Sequence, residues 1–481
     1  MSILKKIDPI SVPAIENSLA VFDLLPTTVA FNQTYIRELL PLMTVTREGP
    51  YTFRLFSDTK FIDFTKTWFF MKYQIERKDG NNWVALNTGD AEQKLKDSSV
   101  NVIQNFASSF IKQLKVTINS TLVFDSGNLY PYRAYIATEF GTSKAFREGL
   151  LEAGGYFPDE ADKYDFIENE GFIKRKKYFA SNKPCHAITR LNFDLANQNS
   201  LFLNNCDIIF EIKPQSDDFV LHVPKYPKTT RTRGAKDGDP EIVTTNYYAV
   251  GGTYRINLHE VKLYITLVDV VQSLQNQIAR QLEHTPAKYP LRKIDLRSLY
   301  LPTGMTNFTW NVFTSIVPRR LMIFLVPNKR FDGDRASQPF KFVHGDIQNI
   351  WVEANNMTVP NNPYHLNMDE GDNVVNSSIN NTYLRAFVDF YTGLDLIDQE
   401  KAVCLNMAKY LNGWTGWVFP LGSSFRDMGD SFELIKNGTT VVKGLFNKPV
   451  PNDGYMLIAV GEFDEVLTVN ADRILSIDSS V

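Results

Sequence analysis

The stretch LKVTINSTLV (Leu114–Val123) aligns without gaps with IWVEANNMTV (Ile350–Val359). Apolar residues coincide at the first, third and tenth positions, and asparagine coincides at the sixth, as Asn119 and Asn355. A β-branched run followed by polar residues is typical of a strand that enters a turn. Because the same pattern occurs in each half of the chain, it predicts an internal duplication of a β domain.

A second pair of matched stretches predicts one helix in each half. YRAYIATEFG at 132–141 and LRAFVDFYTG at 384–393 also align without gaps. Their apolar residues recur three and four positions apart, the spacing of a short helix that packs against a sheet. Each stretch ends in a glycine, Gly141 or Gly393, and we expect that glycine to end the helix with a positive φ angle.

The same two stretches carry an arginine at matching positions, Arg133 and Arg385. Because the residue recurs with the helix, we expect a shared structural role in which it caps backbone carbonyls or pairs with a carboxylate beneath the helix. A ligand-binding role is the alternative.

Two weaker matches follow the same order along the chain. FFMKYQI at 69–75 resembles RLMIFLV at 320–326, and LHEVKLYIT at 258–266 resembles VGEFDEVLT at 460–468. Four matched segments in one order predict two β domains in tandem.

Short β-branched and aromatic runs, broken by Gly, Pro, Asn or Asp, predict a series of strands in each half. The strands expected are Tyr51–Phe56, Trp68–Ile75, Ile111–Ile118, Ile188–Phe193, Ile208–Ile212 and Tyr254–Val268, then Leu296–Leu301, Leu321–Val326, Ile350–Ala354, Trp417–Leu421, Thr440–Phe446 and Tyr455–Val469. Helices are expected at Pro131–Phe140, Val271–Glu283 and Thr382–Tyr391. We therefore expect an all-β fold of two tandem eight-stranded jelly rolls, with short helices in the loops and a helical connector.

The polar helical pattern before Pro286 and Pro290 places the connector. The expected divisions are an N-terminal arm at 1–20, the first jelly roll at 21–272, a linker at 273–289, and the second jelly roll with a C-terminal tail at 290–481. Long polar insertions, at 141–183, 359–381 and 395–413, are expected to hang from the ends of the sandwiches and to carry contacts rather than core. The arm orders on assembly or is a frayed end.

Composition excludes several classes of protein. Hydrophobic residues make up 43% and charged residues 22%, as in a folded chain, and the net charge of −3 argues against coating nucleic acid directly. The first residues lack a secretory signal, no apolar run is long enough to span a membrane, and three cysteines argue against a disulfide framework. We therefore expect a protein that is not secreted and has no membrane span.

The chain lacks the common catalytic motifs of hydrolases, nucleotide-binding enzymes and zinc enzymes, so we expect no catalytic residues, no cofactor and no metal. Two alternatives stay open. A tandem jelly-roll carbohydrate-binding protein would use exposed aromatic platforms, for which Trp83, Trp414 and Trp417 are the candidates. A cupin-type metalloenzyme would need a ligand cluster, for which the sequence offers only His259 and Glu260.

Four further motifs have a structural and a functional interpretation. Cys185-His186 is a nucleophile or ligand pair, or ordinary packing of neighbours on opposite faces of a strand. The acidic residues 369–372 form a calcium site or a solvated loop. The basic run Lys174–Lys177 is a nuclear localisation signal or the charged edge of a strand, and the basic loop Lys225–Lys236 contacts DNA or a neighbouring copy, or is flexible.

The sequence also resembles a known family, the double jelly-roll major capsid proteins of Polinton (Maverick) elements and adintoviruses, and more distantly those of virophages. The strings that carry the resemblance are SLAVFDLLPTTVAFNQTY, GPYTFRLFSDTKFIDFTKTWFFMKYQI and NLYPYRAYIAT in the first half, and AKYPLRKIDLRSLYLPTG, IVPRRLMIFLVPNKRFDGDRASQPFKFVH, ELIKNGTTVVKGLFNKPVP and IAVGEFDEVLTVNADR in the second. The resemblance spans nearly the whole chain, although the basic loop at 225–236 has no counterpart.

The resemblance implies a homotrimer with a pseudo-sixfold outline, because three copies of two similar domains make a hexagonal tile. Such capsomers pave an icosahedral shell around double-stranded DNA. The implied partners are the chain itself, neighbouring capsomers, and a single jelly-roll penton or minor capsid protein, with no direct sequence-specific contact to nucleic acid. The implied location is the virion.

Overall fold

The computed structural model describes residues 10–12, 17–19, 21–22, 24–160, 163–232, 242–355, 357–368, 381–396, 405–422, 432 and 434–478. Of residues 226–232, 242–247 and 381 it describes the backbone alone. Strands dominate these ranges and pair antiparallel throughout, which confirms the predicted all-β class.

The first half builds two sheets, one of five strands and one of four. Its strands are β1 (Phe31–Leu39), β2 (Tyr51–Phe56), β3 (Phe61–Asp79), β4 (Asn82–Ala85), β5 (Asn101–Val102), β6 (Ile111–Ile118), β7 (Thr121–Asp125), β8 (Cys185–Arg190), β9 (Asp207–Pro214), β10 (Leu221–His222), β11 (Tyr226–Thr232), β12 (Ile242–Tyr248) and β13 (Tyr254–Val270). One sheet has the order β1-β13-β3-β8 and the other β2-β9-β6-β7. The remaining strands form small pairs, except β4, which extends the first sheet at β3.

The second half repeats this arrangement. Its strands are β14 (Ala287–Leu301), β15 (Asn307–Phe313), β16 (Ile316–Val317), β17 (Arg320–Pro327), β18 (Ile347–Ala354), β19 (Met357–Val359), β20 (Gly416–Pro420), β21 (Lys436–Asn437), β22 (Thr440–Phe446), β23 (Tyr455–Val469) and β24 (Leu475–Asp478). The two sheets have the orders β14-β23-β17-β20 and β15-β22-β18-β19. When the eight main strands of each half are numbered along the chain, both halves join the first, eighth, third and sixth in one sheet, and the second, seventh, fourth and fifth in the other. This is jelly-roll connectivity, and the prediction of two eight-stranded jelly rolls is confirmed.

Each pair of sequence repeats lies at equivalent places in this topology. The first pair forms the hairpins β6-β7 and β18-β19, and the weaker pairs lie in the third strands, β3 and β17, and in the eighth strands, β13 and β23. Asn119 and Asn355 both begin the hairpin turn with positive φ, 46° and 54°, which asparagine tolerates better than most residues. The backbone N–H of Asn119 donates to the carbonyl of Asp207 at 2.9 Å, and that of Asn355 to the carbonyl of Thr439 at 3.4 Å. The asparagine therefore ties the turn to the chain entering the seventh strand in both halves.

Helices occupy the connections between strands. They are α1 (Ala91–Ser98), α2 (Phe106–Ser109), α3 (Tyr130–Gly141), α4 (Lys144–Arg147), α5 (Glu170–Phe179), α6 (Asp217–Val220), α7 (Gln272–His284), α8 (Asn328–Asp332), α9 (Leu384–Gly393) and α10 (Met407–Leu411). Helices α3 and α9 are the repeated pair, and both lie between the fifth and sixth main strands of their half. Helix α7 joins the two jelly rolls, as the helical connector predicted.

The expectation of positive φ at Gly141 and Gly393 is wrong, because neither residue is among the glycines with positive φ. Each glycine is instead the last residue of its helix. A Cβ on Gly393 would lie 2.7 Å from Cγ1 of Val418, so the absence of a side chain lets α9 approach β20 closely. A Cβ on Gly141 would meet no atom within 4 Å, so close packing does not explain that glycine.

The interpretation of residues 141–183 as a peripheral polar loop is also wrong. Helices α4 and α5 lie within this insertion, and Tyr156, Phe157, Tyr164, Phe172 and Phe179 are buried. The alternative of a charged strand edge at Lys174–Lys177 fails for the same reason, since these residues belong to α5.

Nearly all of the buried apolar side chains of the described residues form one contiguous cluster that extends through both jelly rolls. Strand β17 shows the consequence: seven of its eight residues are buried, so both of its faces are covered. Strand β1 is the opposite case, with every residue from Phe31 to Glu38 exposed at the edge of its sheet.

Candidate functional site

Helix α3 joins the two jelly rolls through stacked aromatic rings. Three of its rings stack on rings of the second half, with centroids 4.3 to 5.4 Å apart: Tyr135 on Phe340, Tyr132 on Phe331, and Phe140 on Phe324. The Tyr135 and Phe340 rings are 9° from parallel, and both side chains are buried. Such pairs contribute about 0.5–1.5 kcal/mol each beyond the burial of their area. The orientation of one jelly roll against the other is therefore fixed by α3.

An ion pair adds a second point of attachment. Arg330 of α8 holds Asp165 of the first jelly roll with two hydrogen bonds, of 3.0 and 2.6 Å, and the backbone N–H of Gln338 donates to the same carboxylate at 3.0 Å. Burial alone would raise the pKa of Asp165, but the hydrogen bond and charge of Arg330 outweigh it and hold the pKa below its ordinary value. The carboxylate therefore stays charged and bound to Arg330 near neutral pH.

His222 lies in the same interface as a neutral group. Its Nδ1 is 3.1 Å from Nε2 of Gln338, and its ring lies against Phe172 of α5. Burial lowers the pKa of His222 to about 3, since the charged form would lose its hydration. The imidazole therefore serves as packing at neutral pH and is not poised for acid–base chemistry.

Arg133, at the buried side of α3, contacts both jelly rolls. Its guanidinium donates to Asp194 Oδ1 at 2.6 Å, to Asn192 Oδ1 at 3.3 Å, and to the carbonyl of Ile294 in β14. It also lies over the ring of Phe124, 4.8 Å from the centroid. Only 3% of Arg133 is exposed, so these contacts replace nearly all of its water.

Arg385 makes contacts of the same chemical kinds in a different environment. It donates to the carbonyls of Asn362 and Pro363 at 2.9 and 3.1 Å, and its Nε lies 3.6 Å from Asp389 Oδ2. Its side chain is 43% exposed, and its partners all belong to the second jelly roll. Carbonyls and a carboxylate surround the arginine in both halves, but only Arg133 bridges the domains.

The basic run at 174–177 is divided between buried and exposed side chains. Arg175 is fully buried and donates to Asp159 Oδ1 at 2.9 Å, and Lys174 pairs with Glu170 on the surface. Lys176 donates to the carbonyls of Asp97 and Val100, and burial lowers its pKa to about 8. A receptor that reads four consecutive basic side chains would find two of these inside the protein.

The residues considered for binding or catalysis do not converge. Trp414 and Trp417 are buried, and the ring of Trp83 is covered by the guanidinium of Arg255 at 4.0 Å, so none offers a bare aromatic platform. His259 is exposed, while the neighbouring Glu260 pairs with Lys262 at 2.9 Å.

The remaining motifs give no assembled site either. Cys185 is buried and His186 is exposed, which confirms that the two neighbours face opposite sides of β8. In the part of the chain that the structure describes, no three His, Cys, Asp or Glu side chains are grouped so as to hold a metal ion. Likewise, none of the described helices has the length and apolar character required to cross a membrane. The acidic residues 369–372 and Cys404 lie outside the described residues, as do most of the N-terminal arm and residues 233–241 of the basic loop.

Two surface features stand out from the rest of the molecule. The first is the chain ahead of β1, where Phe22, Leu24 and Leu25 are all more than nine-tenths exposed. The second is a cavity of about 640 Å³ between α3, the end of β8 and the sheet of β14, β17 and β23. Neither was predicted from the sequence, because exposure and cavities depend on which distant residues meet.

No protein-family model matches the chain. An uncharacterized protein of Caenorhabditis elegans is 23% identical over 441 residues, which cover 90% of this chain and 94% of the relative.

Among solved structures, the Sputnik virophage structure contains a chain with a TM-score of 0.62 and 14% identity, covering 99% of this chain and 95% of that one. The Faustovirus major capsid protein gives a TM-score of 0.52 at 9% identity, over 96% of this chain and 93% of that one. The mavirus major capsid protein gives 0.50 at 10% identity, over 99% and 97%. The chain therefore has, over nearly its whole length, the double jelly-roll fold of these viral capsid proteins.

Proposed function

We propose that this chain is a major capsid protein, three copies of which form a pseudo-hexameric capsomer that tiles an icosahedral shell around double-stranded DNA. The role is structural and involves no catalytic turnover. The strings quoted above resemble the capsid proteins of Polinton elements and adintoviruses, and the proposed place of action is the virion.

One observation carries the proposal: two sandwiches with the same connectivity are fixed against each other by buried contacts. A threefold axis through three such chains arranges six similar sandwiches in a ring, so the trimer has a nearly hexagonal outline. A loose pair of domains would not tile, because each copy could take a different shape. The stacked rings of α3 and the Arg330–Asp165 pair remove that freedom.

Charge bears on the partners. The net charge of −3 gives the chain no general attraction to phosphate, so we propose that packaged DNA is held by shape and by other proteins rather than by sequence-specific contacts of this one. A shell built from pseudo-hexagonal tiles also needs a different unit at its fivefold vertices. The proposal therefore includes a penton or minor capsid protein as partner.

The relative in a nematode supports an element that resides in animal genomes. It aligns over nine-tenths of this chain, so the whole double domain has a counterpart in an animal. A gene carried by a virus-like transposon accounts for that distribution.

The experiment is to measure the mass of the purified full chain by light scattering and to image it by electron microscopy. We expect particles of three times the chain mass of 54.9 kDa, with hexagonal outlines and, at higher concentration, closed shells. A stable capsomer should bury on the order of 2,000 Å² or more per interface and persist at micromolar concentration. A monodisperse monomer that binds glycans on an array would refute the proposal and favour the carbohydrate-binding alternative.

A further inference from the structure

One face of α3 is buried because the second jelly roll covers it. This face carries Arg133, Ile136 and Phe140, three and four positions apart along the helix, which are 3%, 3% and 5% exposed. Phe140 stacks on Phe324 of β17, and Arg133 donates to the carbonyl of Ile294 in β14. Through this face the first jelly roll therefore contacts the outer side of the β14-β23-β17-β20 sheet.

The corresponding face of α9 is open. The gapless alignment places Arg385, Val388 and Thr392 at the positions of the three α3 residues. The other side of α9, with Phe390, packs against β20 of its own jelly roll. Val388 is 55% exposed, whereas its counterpart Ile136 is 3% exposed. The repeated helix thus covers a sheet in one half and leaves the same positions uncovered in the other.

Strand register locates the surface of the first jelly roll that is equivalent to the one under α3. In each half, the last residue of the sixth main strand begins a row of directly paired residues across the sixth, third, eighth and first strands. The rows are Pro420, Arg320, Glu462 and Ile294 in the second jelly roll, and Arg190, Trp68, Tyr264 and Glu38 in the first. Ile294 is the residue that Arg133 contacts, so Glu38 of β1 occupies its place in the first jelly roll.

The rows also give counterparts for the residues around Ile136. Arg292 and Met322 line the cavity beside α3 together with Ile136, and each stands two positions from a residue of its row. The residues two positions from the same places in the first jelly roll are Ile36 and Phe70. Because side chains two apart share a face of the sheet, Ile36 and Phe70 lie on the outer face, with the row.

This outer face is apolar and partly open in the first jelly roll. Ile36 is 68% exposed, and Phe70 and Tyr264 are only partly buried although their ring centroids lie 6.2 Å apart. On the equivalent face of the second jelly roll, Met322 and Phe324 are 5% and 0% exposed. A sheet face that is covered in one half is therefore uncovered in the other, within the part of the chain that the structure describes.

We propose that the exposed face of α9 in one copy packs against the outer face of the β1-β13-β3-β8 sheet in a neighbouring copy, with Val388 against Ile36 and Phe70. The contact between copies then repeats the contact within each chain, with α9 in the place of α3. Since the two surfaces differ, the contact is head-to-tail and can close into a ring. The inference rests on the proposed function, because it assigns the interface of the trimer.

The test places an arginine on each surface in turn, as Val388→Arg and Ile36→Arg in the full chain. Both side chains are mostly exposed in the single chain, so the substitutions should leave its thermal midpoint nearly unchanged. Ile173→Arg is the matched control, since Ile173 is also a β-branched residue on a helix and is 55% exposed. By light scattering we expect trimers for the unsubstituted chain and for the control, and monomers for the other two variants.

Mixing the two monomeric variants tests whether both surfaces belong to one contact. Val388→Arg keeps an intact sheet face and Ile36→Arg keeps an intact α9, so one sound contact can form between them and the ring cannot close. We therefore expect 1:1 dimers of twice the chain mass in the mixture, at concentrations where each variant alone is a monomer. Two surfaces that belonged to different contacts would give no dimer.

The outcomes separate this inference from the capsid proposal. Trimers that survive both substitutions, an equal loss of trimers in Ile173→Arg, or a mixture that stays monomeric overturn the α9 contact and leave the capsid function standing. A monomeric unsubstituted chain overturns the contact and also counts against the capsid function.

Discussion

Replacing Arg133 by methionine should destabilise the protein strongly, whereas the same change at the repeated position, Arg385, should have little effect. Methionine retains the apolar part of the side chain but leaves the Asp194 carboxylate, whose side chain is 10% exposed, without its cation. Removing one partner of a buried pair costs about 3–5 kcal/mol. At Arg385 the pair with Asp389 is 43% and 36% exposed, and such pairs contribute about 1 kcal/mol or less.

The assay is the thermal midpoint of the full chain at pH 7, with the free energy of unfolding from urea titration where refolding is reversible. An unfolding entropy of about 2.1 cal/mol/K per residue over 481 residues is about 1 kcal/mol/K, so a loss of 3–5 kcal/mol corresponds to a fall of roughly 3–5 °C in the midpoint, set against about 1 °C or less for Arg385→Met. The double variant Arg133→Met/Asp194→Asn should lose less than the sum of its single changes, because it no longer buries a lone charge. Equal losses at the two arginines would refute the conclusion that the buried Arg133–Asp194 pair stabilises the protein more than the exposed pair at Arg385.

Three further predictions follow from contacts already described. Gly393→Ala should lower the free energy of unfolding by about 1–3 kcal/mol because its Cβ would lie 2.7 Å from Val418. Gly141→Ala, with open space around it, should raise that free energy by roughly 0.5–1 kcal/mol. Unfolding titrations that rank the two variants the other way would contradict the close packing of Gly393 against β20. The pKa of Lys176 falls from 10.5 to about 8 on folding, so between these pH values the unfolded chain binds more protons and the free energy of unfolding should rise as the pH rises. Lys176→Met should reduce this slope, and an unchanged pH profile in the variant would disprove the prediction. The pKa of His222 falls from 6.5 to about 3 on folding, so the free energy of unfolding should decline as the pH drops below about 6.5. The stability of His222→Asn should fall less with acid in the same titration, and an equal fall would count against a buried neutral imidazole.

Much of the fold can be predicted because the repeat is local. The pattern around Asn119 and Asn355 describes one hairpin, and its recurrence shows the duplication without knowledge of any distant contact. Strand β1 was missed for the opposite reason. Its sequence, FNQTYIREL, shows no alternation of apolar and polar residues, and only its last residue is buried. The strand is held by backbone hydrogen bonds to β13, and these do not require a particular side-chain pattern.

The insertion at 141–183 shows why polarity was a poor guide there. The sequence of helix α5 is rich in charged residues, yet its Arg175 is fully buried. Burial is possible because Asp159 and the carbonyls of Val102 and Phe157 accept hydrogen bonds from the guanidinium. The spacing of Phe172 and Phe179, seven residues apart, was the available sign of a buried helix face.

The interface between the jelly rolls had no sequence signal at all. Tyr135 and Phe340 are far apart in the chain, and nothing in either surrounding stretch specifies the other ring as its partner. The same holds for the cavity beside α3, whose walls come from distant strands. The site residues Arg133 and Arg385 were found through their recurrence, but recurrence could not distinguish the bridging arginine from the surface one.

The continuous buried cluster has a consequence for how this chain can be divided. If the polypeptide were cut at α7 and each half produced separately, Tyr135 and Phe140 on one piece, and Phe324 and Phe340 on the other, would face water. Separating the two sandwiches would therefore expose aromatic surface that the intact chain buries, at a cost of about 25 cal/mol per Å². We expect the two sandwiches to unfold together rather than one at a time.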